Sequence, residues 1–325
     1  EINPGAFGNC TGLSSLDFSD CTVLRVIQGS TFSYCTNLTT ISLPPNLTTL
    51  GSTALSSCRS LKEIELPNTL TNIEYRAFSG CDSLESIYIP SQVTEIGYGA
   101  FASCENLTNI DVSDNANFAF EDGVLYNSDK TVLIQCLASK EGIFSFLSSV
   151  TSIEKHAFSD CAKITEISIP STIQTLEASV FQGCDGLTSI DFSNSINLTS
   201  IGERCFNGCF ALSTIDLRNT KVTTIKSNAF TSTHIAEFYF PATLETIEDS
   251  VFNSYYLFSL DFSNCNNLSK IGRRAFVSCD RLESIDFGDN ADGWYFTTSS
   301  TSTSGTNIDL SDPERNALYF TERYT

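Results

Sequence analysis

The 325-residue sequence has no methionine, two histidines and one tryptophan. A chain without Met does not begin at its own initiator, so it reads as a mature or trimmed part of a longer product. Two histidines leave little room for a His-based metal centre or acid–base pair. Basic residues are also scarce: 18 Lys and Arg stand against 38 Asp and Glu, a formal net charge of -20. That imbalance argues against nucleic acid or an anionic membrane surface as the main partner, because both attract cations. No apolar run approaches the roughly 18 residues of a membrane span. A Gly-rich phosphate loop, an HExxH pair and a nucleophile elbow are all missing. The sequence therefore suggests no cofactor, no metal and no catalytic residue.

Ser and Thr are abundant, with 45 and 35 copies. A hydrophobic content of 41% excludes wholesale disorder. There are also 24 Phe and 13 Cys, and the cysteines follow a repeat. A small residue precedes Phe, Cys follows three residues later, and an apolar pattern comes next: AFSGCDSLESIYIP from Ala77, AFASCENLTNIDV from Ala100, AFSDCAKITEISIP from Ala157. The aromatic, or its replacement, falls at Phe7, Phe32, Leu55, Phe78, Phe101, Phe158, Phe181, Phe206, Phe230, Phe252 and Phe276. The steps are 25, 23, 23, 23, 57, 23, 25, 24, 22 and 24 residues. Such a period defines a solenoid, whose units bury their apolar sets only by stacking. Leu84-x-x-Ile87-x-Ile89 alternates like a strand, and no segment suits a regular helix.

The pattern L-x-x-I-x-I-P-x-x-[LV]-x-x-I-G-x-x-A-F-x-x-C resembles the BspA-like, or treponemal-type, leucine-rich repeat over almost the whole chain. The long step holds Asp122-Gly-Val-Leu-Tyr126, which looks like that family's interruption, with Asn127 to Lys130 as a hairpin turn. The resemblance implies a strand-rich leucine-rich-repeat solenoid of about 12 rungs, with parallel strands stacked on a concave face. The array would cover 1–287, interrupted at 118–146, and 288–325 would form a C-terminal cap. Within that cap Ser311 to Glu314 reads as a helix start, and Trp294 as packing against the last rung. At the front, Ile2 to Phe7 is the second half of a repeat, so more sequence is expected upstream.

Nine cysteines share one repeat position: Cys10, Cys35, Cys58, Cys81, Cys104, Cys161, Cys184, Cys209 and Cys279. They suggest small buried fillers of a tight turn rather than a disulfide or metal ladder, since equivalent side chains in stacked rungs point the same way. The units at Phe230 and Phe252 lack this Cys and are one residue shorter there.

The outward position between the last two apolar residues of each strand reads Asp17, Ser42, Glu65, Tyr88, Asp111, Ser168, Asp191, Asp216, Tyr239, Asp261 and Asp286. Seven of these 11 are acidic and none is basic. Like carboxylates one rung apart repel, so the row is either a docking strip for a basic partner or Ca²⁺, or a solvating device against aggregation. Six N-x-[ST] sequons, at Asn9, Asn37, Asn46, Asn106, Asn197 and Asn267, are candidate glycan acceptors if the chain is secreted in a eukaryote. His156 and His234 read as surface loop residues.

The resemblance implies a non-enzymatic secreted or cell-surface protein, adhesin-like, whose partners are host matrix or cell-surface proteins. The alternative is a structural protein that self-associates through its solenoid ends into a filament or coat.

Overall fold

The computed structural model describes residues 2–288 and the backbone of three further strands, Trp294–Phe296, Thr306–Asn307 and Phe320–Arg323. Among the described residues there is no α-helix. The repeat builds about twelve rungs, each crossing one face as a strand of three to five residues or an extended segment. In Thr40–Ser42 and Ser86–Tyr88 the central Ile is buried and its neighbours are exposed. This is what a period of two demands of a half-buried strand.

A second ladder, not foreseen from the sequence, runs through the returns of the rungs in two separate stretches. Val26–Ile27, Thr49–Leu50, Asn72–Ile73 and Glu95–Ile96 pair in parallel, in that order. Thr175–Leu176, Ser200–Ile201, Thr224–Ile225, Thr246–Ile247 and Lys270–Ile271 do the same further on. Two-residue strands are too short to show any alternation, so the sequence suggested only an irregular return.

Between the return strand and the next face strand lies the Phe–Cys turn. The Phe residues are fully buried from Phe32 onward. Phe181, Phe206, Phe230, Phe252 and Phe276 stack at centroid distances of 5.2, 5.2, 5.6 and 5.3 Å. Leu55 interrupts the earlier part of the column, between the Phe7–Phe32 and Phe78–Phe101 stacks. Left-handed residues flank the aromatic two positions before and two after it, as at Arg76 (φ 51) and Gly80 (φ 75) around Phe78. Outside glycine this conformation costs about 1–2 kcal/mol. The rung-to-rung main-chain bonds offset that cost; Phe78 N–H, for example, donates to Ala100 O at 2.9 Å.

None of the thirteen cysteines is in a disulfide. The turn thiols donate to the carbonyl of the preceding rung's column residue: Cys58 to Phe32, Cys81 to Leu55, Cys104 to Phe78 and Cys209 to Phe181, at 3.2, 3.3, 3.1 and 3.0 Å. Burial pushes the Cys58 and Cys104 thiols up to about 12. One member departs from the expected buried set: Cys10 is exposed.

The long step contains three antiparallel strands, Phe118–Glu121, Val124–Asn127 and Val132–Cys136. Asp122 and Gly123 (φ 50 and 78) make the first turn, the two left-handed residues a tight hairpin needs. The expected second turn closes with Lys130 N–H donating to Asn127 O at 3.0 Å. Gly142–Phe144 then returns to the rung register, pairing Phe144 with Ile167.

Backbone packing separates two compact units, Glu1–Glu141 with Glu154–Cys161, and Gly142–Ile153 with Ala162–Thr325. Near the end, Trp294–Phe296 pairs antiparallel with both Thr306–Asn307 and Phe320–Arg323. The helix start expected at 311–314 and the packing of Trp294 lie outside the described residues.

Candidate binding face and its carboxylate row

The outward row lies on the strand face as expected, and its members are exposed or half-exposed. In the first unit the order is Asp17, Ser42, Glu65, Tyr88, Asp111, so carboxylates alternate with neutral side chains. Asp17 pairs across the ladder with Ser42, and Tyr88 with Asp111. In the second unit Ser168 pairs with Asp191 and Asp216 with Tyr239. Among paired strands only Asp261 and Asp286 put like charges face to face. The expected repulsion is therefore broken up in the first unit, whereas in the second Asp191 and Asp216 stand on consecutive rungs and Asp261 faces Asp286. Glu65 stands on the extended stretch 63–65, which joins neither neighbouring strand.

The six aspartates share a local task that the sequence reading missed. Each accepts a main-chain N–H two residues ahead and so turns the chain out of the strand. Ser19 N–H donates to Asp17, Ser113 to Asp111, Ser193 to Asp191, Arg218 to Asp216, Ser263 to Asp261 and Gly288 to Asp286, at 2.7–3.1 Å. This is an Asx turn, and the recurring Asp-Phe-Ser was its signal. The same amide bonds hold the Asp17, Asp111 and Asp191 carboxyls below the usual carboxylate range. They are ionised at neutral pH, so the row is both a turn-forming device and a fixed array of negative charge.

One cation already occupies the row. Arg218 folds back onto Asp216, with Nε to Oδ1 at 2.9 Å and Nη2 to Oδ2 at 2.6 Å. Its guanidinium lies 4.4 Å from the centroid of the Tyr239 ring in the next strand. The Arg218 bonds are the largest cause lowering the Asp216 carboxyl. At the related pair in the first unit, Tyr88 beside Asp111, no such cation stands among the described residues, and Tyr88 O–H donates to Asp114 at 3.1 Å. Among the described residues no group of three His, Cys, Asp or Glu is arranged to hold a metal ion. The shared Ca²⁺ site weighed from sequence has no ligand set there.

The sequons divide into two groups. The Asn46 and Asn197 amides each donate to a main-chain carbonyl of the preceding rung. Asn9, Asn37, Asn106 and Asn267 are exposed, as is Asn197 despite its bond. His234 is exposed, between Phe210 and Tyr256. His156, expected at the surface, is instead half-buried against Tyr75 and Arg76. Burial first, then the Arg76 and Lys155 charges, lower it to about 4.

Stacked short parallel strands, a buried aromatic column and an exposed strand face define a leucine-rich-repeat protein. The BspA type leucine rich repeat region, in six copies, matches residues 1–131, 136–258 and 195–301. The chain belongs to this family. It is similar to a leucine rich cell surface protein from Faecalibacterium prausnitzii A2-165, at 29% identity over 83% of this chain and 75% of the other, TM-score 0.56. A leucine-rich repeat protein from Eubacterium ventriosum shares the fold at 22% identity, covering 87% of this chain and 84% of the other, TM-score 0.60. No curated protein matches the chain. No helix among the described residues is long and apolar enough to cross a membrane.

Proposed function

We propose that the chain is a non-enzymatic protein-binding module, secreted or at the cell surface, that docks basic segments of partner proteins on its strand face. The observation that carries this reading is the seat of Arg218, a guanidinium gripped by both oxygens of Asp216 and laid over Tyr239. A bidentate carboxylate with an aromatic plate is a strong and specific arrangement for an arginine. Tyr88 and Asp111 repeat the pair of residue types on adjacent strands, and among the described residues no arginine is seated on them. The strand order is reversed there, so an incoming basic side chain meets the same two groups, a carboxylate and a tyrosine ring, in the opposite order along the face. The cell-surface description of the Faecalibacterium protein supports the same placement for this chain, and the strand face would there serve an adhesin-like role. Surface location is tested by protease sensitivity of the protein on intact cells.

An arginine-rich extended peptide tests the face itself. Binding should weaken steeply with salt, and roughly tenfold on Asp111→Asn combined with Asp191→Asn, the scale of a lost charged contact. Asn keeps the Asx turn and removes only the charge, so folding is preserved. Unchanged affinity in both tests would end this reading.

A further inference from the structure

The return ladder of the first unit stops at Glu95–Ile96, and the three-stranded insertion stands where the next rung would continue it. A cleft of about 570 Å³ opens there. Its floor is apolar: Ile96, Phe118, Val132 and Ile134 are all partly exposed, whereas the rung equivalents of Ile96, Ile73 and Leu50, are buried. Its rim carries Glu74, Glu95 and Glu154, with Tyr75 and Tyr98 beside them. Arg76 and Lys155 do not line it; each lies over one of these tyrosines, 5.6 Å from the ring centroid.

The main chain adds a second demand. In earlier rungs the carbonyls at these ladder positions accept from the following rung: Thr48 and Leu50 from Thr71 and Glu74, then Thr71 and Ile73 from Thr94 and Gly97. Among the described residues no donor reaches the carbonyls of Thr94 and Ile96, both of which line the cleft. Apolar floor, carboxylate rim and two open acceptors all favour a ligand with an aliphatic stem and a donor-rich cationic head.

We propose that this cleft receives a lysine or arginine side chain from an extended segment of a partner protein. The stem lies on Ile96, Phe118 and Ile134, and the head reaches the rim carboxylates and the open ladder edge. The cleft is separate from the strand-face row and does not depend on it.

Titration of the whole chain with an acetylated and amidated Val-Lys-Val peptide, followed by calorimetry, tests this. Replacing the lysine with acetyl-lysine should lower affinity at least tenfold, and so should Glu95→Gln with Glu154→Gln, at an unchanged circular dichroism spectrum. Asp111→Asn with Asp191→Asn should leave this binding unaltered, which separates the cleft from the strand face. If the double Gln variant fails to fold, Ile134→Ser alone should weaken binding by a similar factor. Absence of binding, equal binding of the acetyl-lysine peptide, or equal affinity for a free diamine would each overturn the proposal.

Discussion

Rungs that carry the turn cysteine and the two that lack it solve one problem in two ways. In five of the Cys rungs the thiol donates to a column carbonyl one rung back, as from Cys81 to Leu55 and from Cys209 to Phe181. In the rungs of Phe230 and Phe252 hydroxyls are the donors and their acceptors differ, a carbonyl of the same rung in one and a carbonyl outside the column in the other. Thr233 Oγ1 donates to Phe230 O at 2.9 Å, and Ser254 Oγ to Ile235 O at 2.8 Å. The shortened turn there straightens into strand, with Phe230–Thr231 pairing Phe252–Asn253. A buried carbonyl needs a donor, and the turn accepts any small side chain that supplies one. Sulfur itself is dispensable; its volume and its weak S–H suffice where the turn is longer.

The two kinds of rung should respond alike where they share parts. Phe206→Ala, in a Cys rung, and Phe252→Ala, in a Cys-free one, each empty a fully buried column position. Each should cost about 3–5 kcal/mol, read as a fall in the urea midpoint; a large gap between them would break the equivalence. Ser254→Ala leaves the Ile235 carbonyl without its hydroxyl donor and should cost about 1–3 kcal/mol. Cys81→Ala loses one sulfur and a weaker bond, about 1 kcal/mol. If Cys81→Ala proves the more damaging of these two, the sulfur matters beyond its donor role.

His156 occupies the left-handed position before Phe158 in another Cys rung. Its pKa falls from the ordinary value near 6.5 to about 4 on folding. Between those values the unfolded chain holds the proton and the folded chain does not, so stability falls as the solution is acidified through that window. His156→Gln should flatten this part of the stability–pH curve. Asp191→Asn keeps the turn-forming acceptor and should change stability by no more than about 0.5 kcal/mol, while Asp191→Ala should be measurably worse.

Much of this was legible in the sequence. The Phe and Cys spacing gave the rungs, and Asn127 to Lys130 gave the hairpin turn, because column and turn chemistry depend on particular side chains. The return ladder was not legible, since Asn72–Ile73 and its equivalents are held by main-chain bonds that any residue can make. On the strand face the aspartates were read as charge alone. Their turn role lay in the spacing to Ser113, Ser193 and Ser263, which a search for Asx turns would have found. His156 was misplaced because what covers it comes from Tyr75 and Arg76, some 80 residues away.

The column of thiols has a use as a clock. Cys10 and Cys21 are not buried and answer a thiol reagent at once. The other eleven are sealed by the rung above or below and react only when that rung opens. A timed alkylation, resolved peptide by peptide, would therefore record the opening of this array one rung at a time, with no probe added to it.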